Sequence, residues 1–165
     1  MFIWMTTILT FVLVPFMLIF GLPCRVTTVS EFVTPRLRKK FPWSSKTPII
    51  VLEPHPWLLK YMQKTGIAAY AFLGFVTFAM DRRTTEIHEA IHVLHQSAIS
   101  PIFYAIVYVF DWLAFLPFSK SENKWYPQNY WRRAPVAEHI AYTVSHIEYQ
   151  LELDEARKKD PTFKK

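Results

Sequence analysis

Apolar residues run almost unbroken from Phe2 to Leu22, then recur in shorter blocks separated by prolines and charge. The first block is about 21 residues long, close to the ~20 that a helix needs to cross a hydrocarbon core. No charged side chain precedes it and no small-residue cleavage site follows it. It therefore reads as an uncleaved transmembrane or signal-anchor helix over residues 1–22. Basic residues lie only after it, which places residues 23–165 on the cytoplasmic side of a membrane.

Residues 23–65 carry Pro23, Pro35, Pro42, Pro48, Pro54 and Pro56 and read as irregular chain. Within them, 49–52 suits a short strand and 58–64 a helical turn. The block 66–80, GIAAYAFLGFVTFAM, is short for a span. Its Tyr, Phe, Val and Thr favour strands and Gly74 marks a bend, so paired strands are expected. Helical period then takes over. Across 84–97, Ile87, Ile91, Leu94 and Ala98 make one stripe and His88, His92 and His95 the adjacent one, with Thr84 or Thr85 as the cap. A second, apolar helix is expected over 102–116, with one acid, Asp111. A polar, aromatic loop follows over 119–135. The third helix, 136–159, sets Glu138, Tyr142, Ser145 and Tyr149 on one stripe and Val136, Ile140, Val144, Ile147 and Leu151 opposite. The pattern is mainly α with a small β element, divided into the 1–22 anchor, the 23–65 segment, a domain over 66–159 and a charged tail, 160–165.

Composition sharpens this picture. Hydrophobic residues are 52% of the 165, yet the mean hydropathy is only +0.11, which suits a chain partly in lipid and partly in water. The net charge of +6 suits either nucleic acid or an anionic membrane. Membrane lipid is the favoured partner, because basic residues cluster beside apolar blocks and no nucleic-acid module is visible. The single cysteine, Cys24, excludes an internal disulfide and a cysteine-ligated metal.

The chemistry lies in His88-Glu89-Ala90-Ile91-His92, an HExxH sequence on the first long-period helix. Residues four apart share a helical face, so both imidazoles can reach one ion. Glu89, about 100° around the helix, is displaced from that ion but suited to take a proton from metal-bound water. A catalytic zinc needs a third protein ligand. His95 lies about 10.5 Å along the axis from His88, too far to share one ion on a straight helix. Glu138 on the third helix is the better candidate, with His139 the alternative. Tyr142 or His146 is the candidate to stabilise a developing oxyanion.

These residues resemble a group of small bacterial and phage HExxH proteins that look like gluzincin metallopeptidases. The shared elements are His88-Glu89-Ala90-Ile91-His92-Val93-Leu94-His95-Gln96, the aromatic stretch Phe103-Tyr104 to Asp111-Trp112, and Tyr130-Trp131-Arg132-Arg133-Ala134-Pro135-Val136-Ala137-Glu138-His139-Ile140-Ala141-Tyr142. The chain departs from the group's pattern at the spacing of Pro135 to Glu138 and at Trp131. It also lacks the Asp that follows the ligand Glu in thermolysin-like enzymes. The resemblance implies a zincin-like helical core, zinc held by His88, His92 and Glu138, Glu89 as the base, and residues 66–80 entering the site helix as extended chain. The expected function is a membrane-associated zinc hydrolase acting on a peptide or protein substrate. Two other classes compete: a binuclear iron enzyme, which needs a second ExxH unit, and a non-enzymatic membrane or assembly subunit.

Overall fold

A computed structural model describes residues 2–19, 23–65, 67–79, 82–115 and 136–159. It is mainly helical, with one small mixed sheet. Helix α1 spans Ile3–Ile19, α2 Pro35–Lys40, α3 Pro56–Thr65, α4 Arg83–Ile99, α5 Pro101–Phe115 and α6 Val136–Lys159. Strands β1 (Cys24–Thr28), β2 (Pro48–Leu52), β3 (Ala69–Phe72) and β4 (Phe75–Phe78) form a sheet in the order β1-β2-β4-β3. The β1–β2 and β3–β4 pairs are antiparallel and β2–β4 is parallel.

The expected paired strands of the 66–80 block are β3 and β4. They are joined by Leu73 and Gly74, both at positive φ (48° and 84°), the backbone that two-residue hairpins require. The expected strand at 49–52 is β2, and the helical turn at 58–64 lies within α3. The proline-rich segment is not irregular chain, however. It holds β1, β2, α2 and two 3-10 turns, and it joins the same sheet as the hairpin. Its prolines sit where they do no harm. Pro35 is in the first turn of α2, whose N-cap Thr34 accepts from the Leu37 amide, and a proline there loses no helical bond.

The anchor expected over 1–22 is seen as α1, and residues 20–22 lie outside the described set. At 17 residues, with Pro15 inside it, α1 is shorter than the ~20 residues of a typical span. No single described helix is long and apolar enough to cross a membrane. The loop expected at 119–135 and the tail at 160–165 also lie outside the described residues.

Helix α4 runs through the middle of the molecule. Every residue from Ile87 to Leu94 is buried. The core packs Ile87, Ile91 and Leu94 of α4 with Val29, Phe32, Val33 and Leu37 of the amino-terminal segment, Ile49 and Val76 of the sheet, and Ala141 of α6. Ala98, expected on the same stripe, is exposed. The capping threonines are not caps either: the N-cap is Arg82, and Arg83 instead ties the start of α4 to Glu86, Glu152 and the Phe32 carbonyl. At its far end α4 breaks at Ser100 and α5 leaves at 115°. Helix α6 turns its Glu138–Tyr142–Ser145 stripe toward α4, and farther along the buried Glu148 accepts from Thr34 at 2.7 Å. The opposite stripe of α6 does not form core throughout, since Ile140 and Ile147 are exposed.

Candidate metal centre

A helix buried on all sides ordinarily carries apolar residues. Helix α4 instead buries His88, Glu89, His92, Gln96 and Ser97. Buried polar groups persist where they have partners; the histidines and Gln96 Oε1 find theirs on three elements, while His88 Nδ1, Gln96 Nε2 and Ser97 Oγ have no hydrogen-bond partner among the described residues. Glu138 of α6 places Oε2 3.3 Å from His88 Nε2 and Oε1 3.2 Å from His92 Nε2. The two Nε2 atoms are 3.0 Å apart. Zinc–ligand bonds of about 2.0–2.1 Å put the corners of a tetrahedron about 3.3–3.4 Å apart. The three ligand atoms therefore stand near the spacing of three corners of one coordination sphere. Among the described residues, His88, His92 and Glu138 are the one group of His, Cys, Asp and Glu so arranged.

Helix α5 braces this group from the other side. Tyr104 Oη lies 2.6 Å from His92 Nδ1, and Tyr108 donates to Glu138 Oε1 at 2.7 Å. The first contact suits an imidazole whose Nδ1 is engaged and whose Nε2 is turned to the centre. Tyr104 and Tyr108 are four apart on one face of a helix whose only charged residue is Asp111. That spacing was the available signal for them, although a tyrosine in an apolar helix usually reads as core. Gln96, the glutamine of the HExxHxxQ stretch, accepts from the Gly74 amide at 2.8 Å and is fully buried. It fastens the β3–β4 turn to the same helix that carries the histidines.

The electrostatics follow from burial around a shared proton or cation. Burial works to raise the Glu138 carboxyl, but hydrogen bonds from His88 and His92 outweigh it and hold the group well below the usual carboxylate range. Burial works to lower His92, and the hydrogen bond and charge of Glu138, with the charge of Glu89, raise it instead. Glu89 is pushed up by burial, against the attraction of His88 and His92. The Tyr142 phenol is pushed up to about 12 by burial and by the charges of Glu138 and Glu89.

A cleft opens onto this group. It is lined by Ala69, Tyr70 and Ala71 of β3, by Arg82 and Thr85 at the start of α4, and by the histidines, Glu89, Glu138, Tyr108, Tyr142, Ser145 and His146. All six residues singled out from the sequence thus border one space of about 420 Å³. Tyr142 is close to the centre, its ring 4.3 Å from that of His88, whereas His146 lies on the exposed side of α6. The expectation that 66–80 approaches the site as extended chain corresponds to β3, which is the edge strand of the sheet. His95 is not among the cleft residues; it packs on Tyr104, ring centroids 6.3 Å apart.

No protein-family model matches the chain, and no curated protein or solved structure is detectably similar to it.

Proposed function

We propose that the protein is a zinc-dependent hydrolase of the zincin type, associated with a membrane and acting on peptide bonds. The supporting observation is the approach of Glu138 to within 3.2–3.3 Å of both histidine Nε2 atoms of the HExxH helix. Two neutral imidazoles and one carboxylate are a donor set that zinc accepts in hydrolases, with a fourth position for water. Zinc bound there would lower the pKa of that water to about 7 and polarise a carbonyl. Glu89, buried at the cleft wall and with its carboxyl pushed up, takes the proton and returns it to the leaving amine. Tyr142 and His146 border the same space, and in this reading one of them donates to the oxyanion. An extended peptide can add to the open edge of β3 by main-chain hydrogen bonds, while Arg82, exposed at one end of the cleft, offers a cation to an acidic substrate group.

The roles of the two carboxylates separate experimentally. Glu89→Gln keeps all three ligands, so zinc stays at about one per chain while hydrolysis of a generic peptide substrate falls by about 10²–10⁴, the range for a lost general base. Glu138→Ala loses zinc itself. Two irons per chain, or zinc bound with no hydrolytic activity in the parent, overturns the reading; the second result leaves a structural metal in an assembly subunit.

A further inference from the structure

The site absorbs the inner face of α5 and leaves the outer face unexplained. Ile102, Phe103, Ile106, Val107, Val109, Phe110 and Leu113 are all exposed, Phe110 by 68%. Helix α1 shows the same thing. Its exposed residues, Trp4, Ile8, Phe11, Val12, Pro15 and Ile19, fall on one helical face. Every exposed side chain described on either helix is apolar. The two helices start from one corner, where the Phe2 amide donates to the Ser97 carbonyl at 2.6 Å and Ser100 Oγ meets Met5 Sδ at 3.6 Å.

A second copy of the chain is a poor occupant for such a face. Protein interfaces are only about 56–65% apolar and carry roughly one hydrogen bond per 100–200 Å², and among the described residues these faces offer no exposed polar side chain to make one. A bilayer asks for none. Helices of 17 and 15 residues are about 25 and 22 Å long at 1.5 Å per residue, short of the ~30 Å core. The described chain that follows α1 is basic, with Arg25, Arg36, Arg38, Lys39 and Lys40 exposed, and the net charge is +6, which suits anionic headgroups.

We propose that the outer faces of α1 and α5 dock the protein into one leaflet of an anionic bilayer without crossing it. The opposite face of α5 bears Tyr104 and Tyr108 on the ligand group, so one helix, about 10–12 Å thick, separates lipid from the centre. The cleft then lies at the headgroup level, and its substrate is a peptide segment at the membrane surface. Only this last placement rests on the hydrolase reading.

The test is flotation of the full chain with vesicles of phosphatidylcholine alone or mixed with phosphatidylglycerol. The parent floats with the mixed vesicles and at least about tenfold less with the neutral ones. Phe103→Ser/Phe110→Ser, and separately Trp4→Ser/Phe11→Ser, each lose about tenfold or more of that binding. Retained zinc binding and circular dichroism show that the variants fold. In sealed vesicles, an amino-terminal epitope tag stays open to protease added outside. An α5 variant that floats like the parent overturns the proposal. So does a protected tag, which means that α1 crosses, or a parent dimer in buffer that the α5 changes dissociate while flotation is unchanged. Vesicle binding requires neither metal nor substrate, so an inactive protein that floats defeats the hydrolase reading alone, and an active one that does not float defeats this inference and the membrane association of the proposed function while leaving the hydrolase standing.

Discussion

Along α4, His88, Glu89, His92, Gln96 and Ser97 are buried, while along the outer side of α5, Ile102, Phe103, Ile106, Phe110 and Leu113 stand in the open. Both arrangements reverse the ordinary placing of polar and apolar residues, and they do so for different reasons. Three of the polar residues of α4 meet partners within the chain, since Glu138 approaches both histidines and Gly74 donates to Gln96, while Ser97 Oγ is buried with no hydrogen-bond partner among the described residues. The outer apolar residues of α5 stay exposed among the described residues. An unpaired buried carboxylate costs several kcal/mol, so a fold retains the first arrangement where something is gained inside the molecule. The second is retained where the surroundings are not water. Helix α5 joins the two, since its tyrosines touch the ligand group and its opposite face is the apolar one.

The strongest way to break the comparison is to remove a histidine. His88→Ala or His92→Ala takes zinc from about one per chain to none, with an affinity loss above about 10³, because two ligands remain where a stable site uses three. Elemental analysis of purified protein measures it. If both variants and the parent are equally free of zinc after reconstitution, the buried polar face of α4 is a hydrogen-bonded cluster and not a metal centre.

How much of this was legible in the sequence depended on whether a feature is local. HExxH reads at i, i+4 on one helix, so His88, Glu89 and His92 needed no tertiary knowledge. Glu138 emerged from the stripe it shares with Tyr142, and the structure brings it to the histidines across α4 and α6. The side chain of His139, the alternative ligand, lies outside the described residues. The β3–β4 hairpin was legible from Gly74 and the aromatic and β-branched residues around it. The proline-rich segment was misread because its two strands are only five residues each and are defined by pairing with each other and with β4, which no local window contains. The anchor expected over 1–22 runs past the described residues: α1 covers Ile3–Ile19, and no single described helix is long and apolar enough to cross a membrane. The roles of Tyr104 and Tyr108 were hidden because both lie in a helix whose composition already explains itself by burial.

A smaller effect sharpens the coupling between the two faces. Tyr104→Phe removes the hydroxyl 2.6 Å from His92 Nδ1 and leaves the packing of the ring intact. Losing a partner that orients a ligating imidazole typically weakens metal binding by about 10–100-fold. Competition with a fluorescent zinc chelator reads this directly, and flotation with vesicles is unchanged because the outer face of α5 is untouched. An unaltered zinc affinity means that His92 is oriented by packing alone, and that α5 serves lipid but not the site.

The smallest expected effect concerns His95, which lies on the same helix as the ligands and packs against Tyr104 without belonging to the cleft. Its Nδ1 is buried with no hydrogen-bond partner among the described residues. Burial, helped by the charge of His92, lowers its pKa to about 4. An unfolded histidine titrates near 6.5. The folded protein therefore binds this proton less readily than the unfolded chain, and protonation favours unfolding. The stability that comes from keeping His95 neutral is complete above about pH 6.5 and is lost as the pH falls toward 4. His95→Leu removes the titration and keeps an apolar side chain against Tyr104. Between pH 7 and 4.5 the metal-free parent should lose about 2 kcal/mol more stability than the variant. Denaturant melts at each pH measure the difference, and the titrations common to both proteins cancel in it. Parallel curves for parent and variant would mean that water reaches His95, and that the wall between the ligand group and α5 is thinner than the packing of Tyr104 implies.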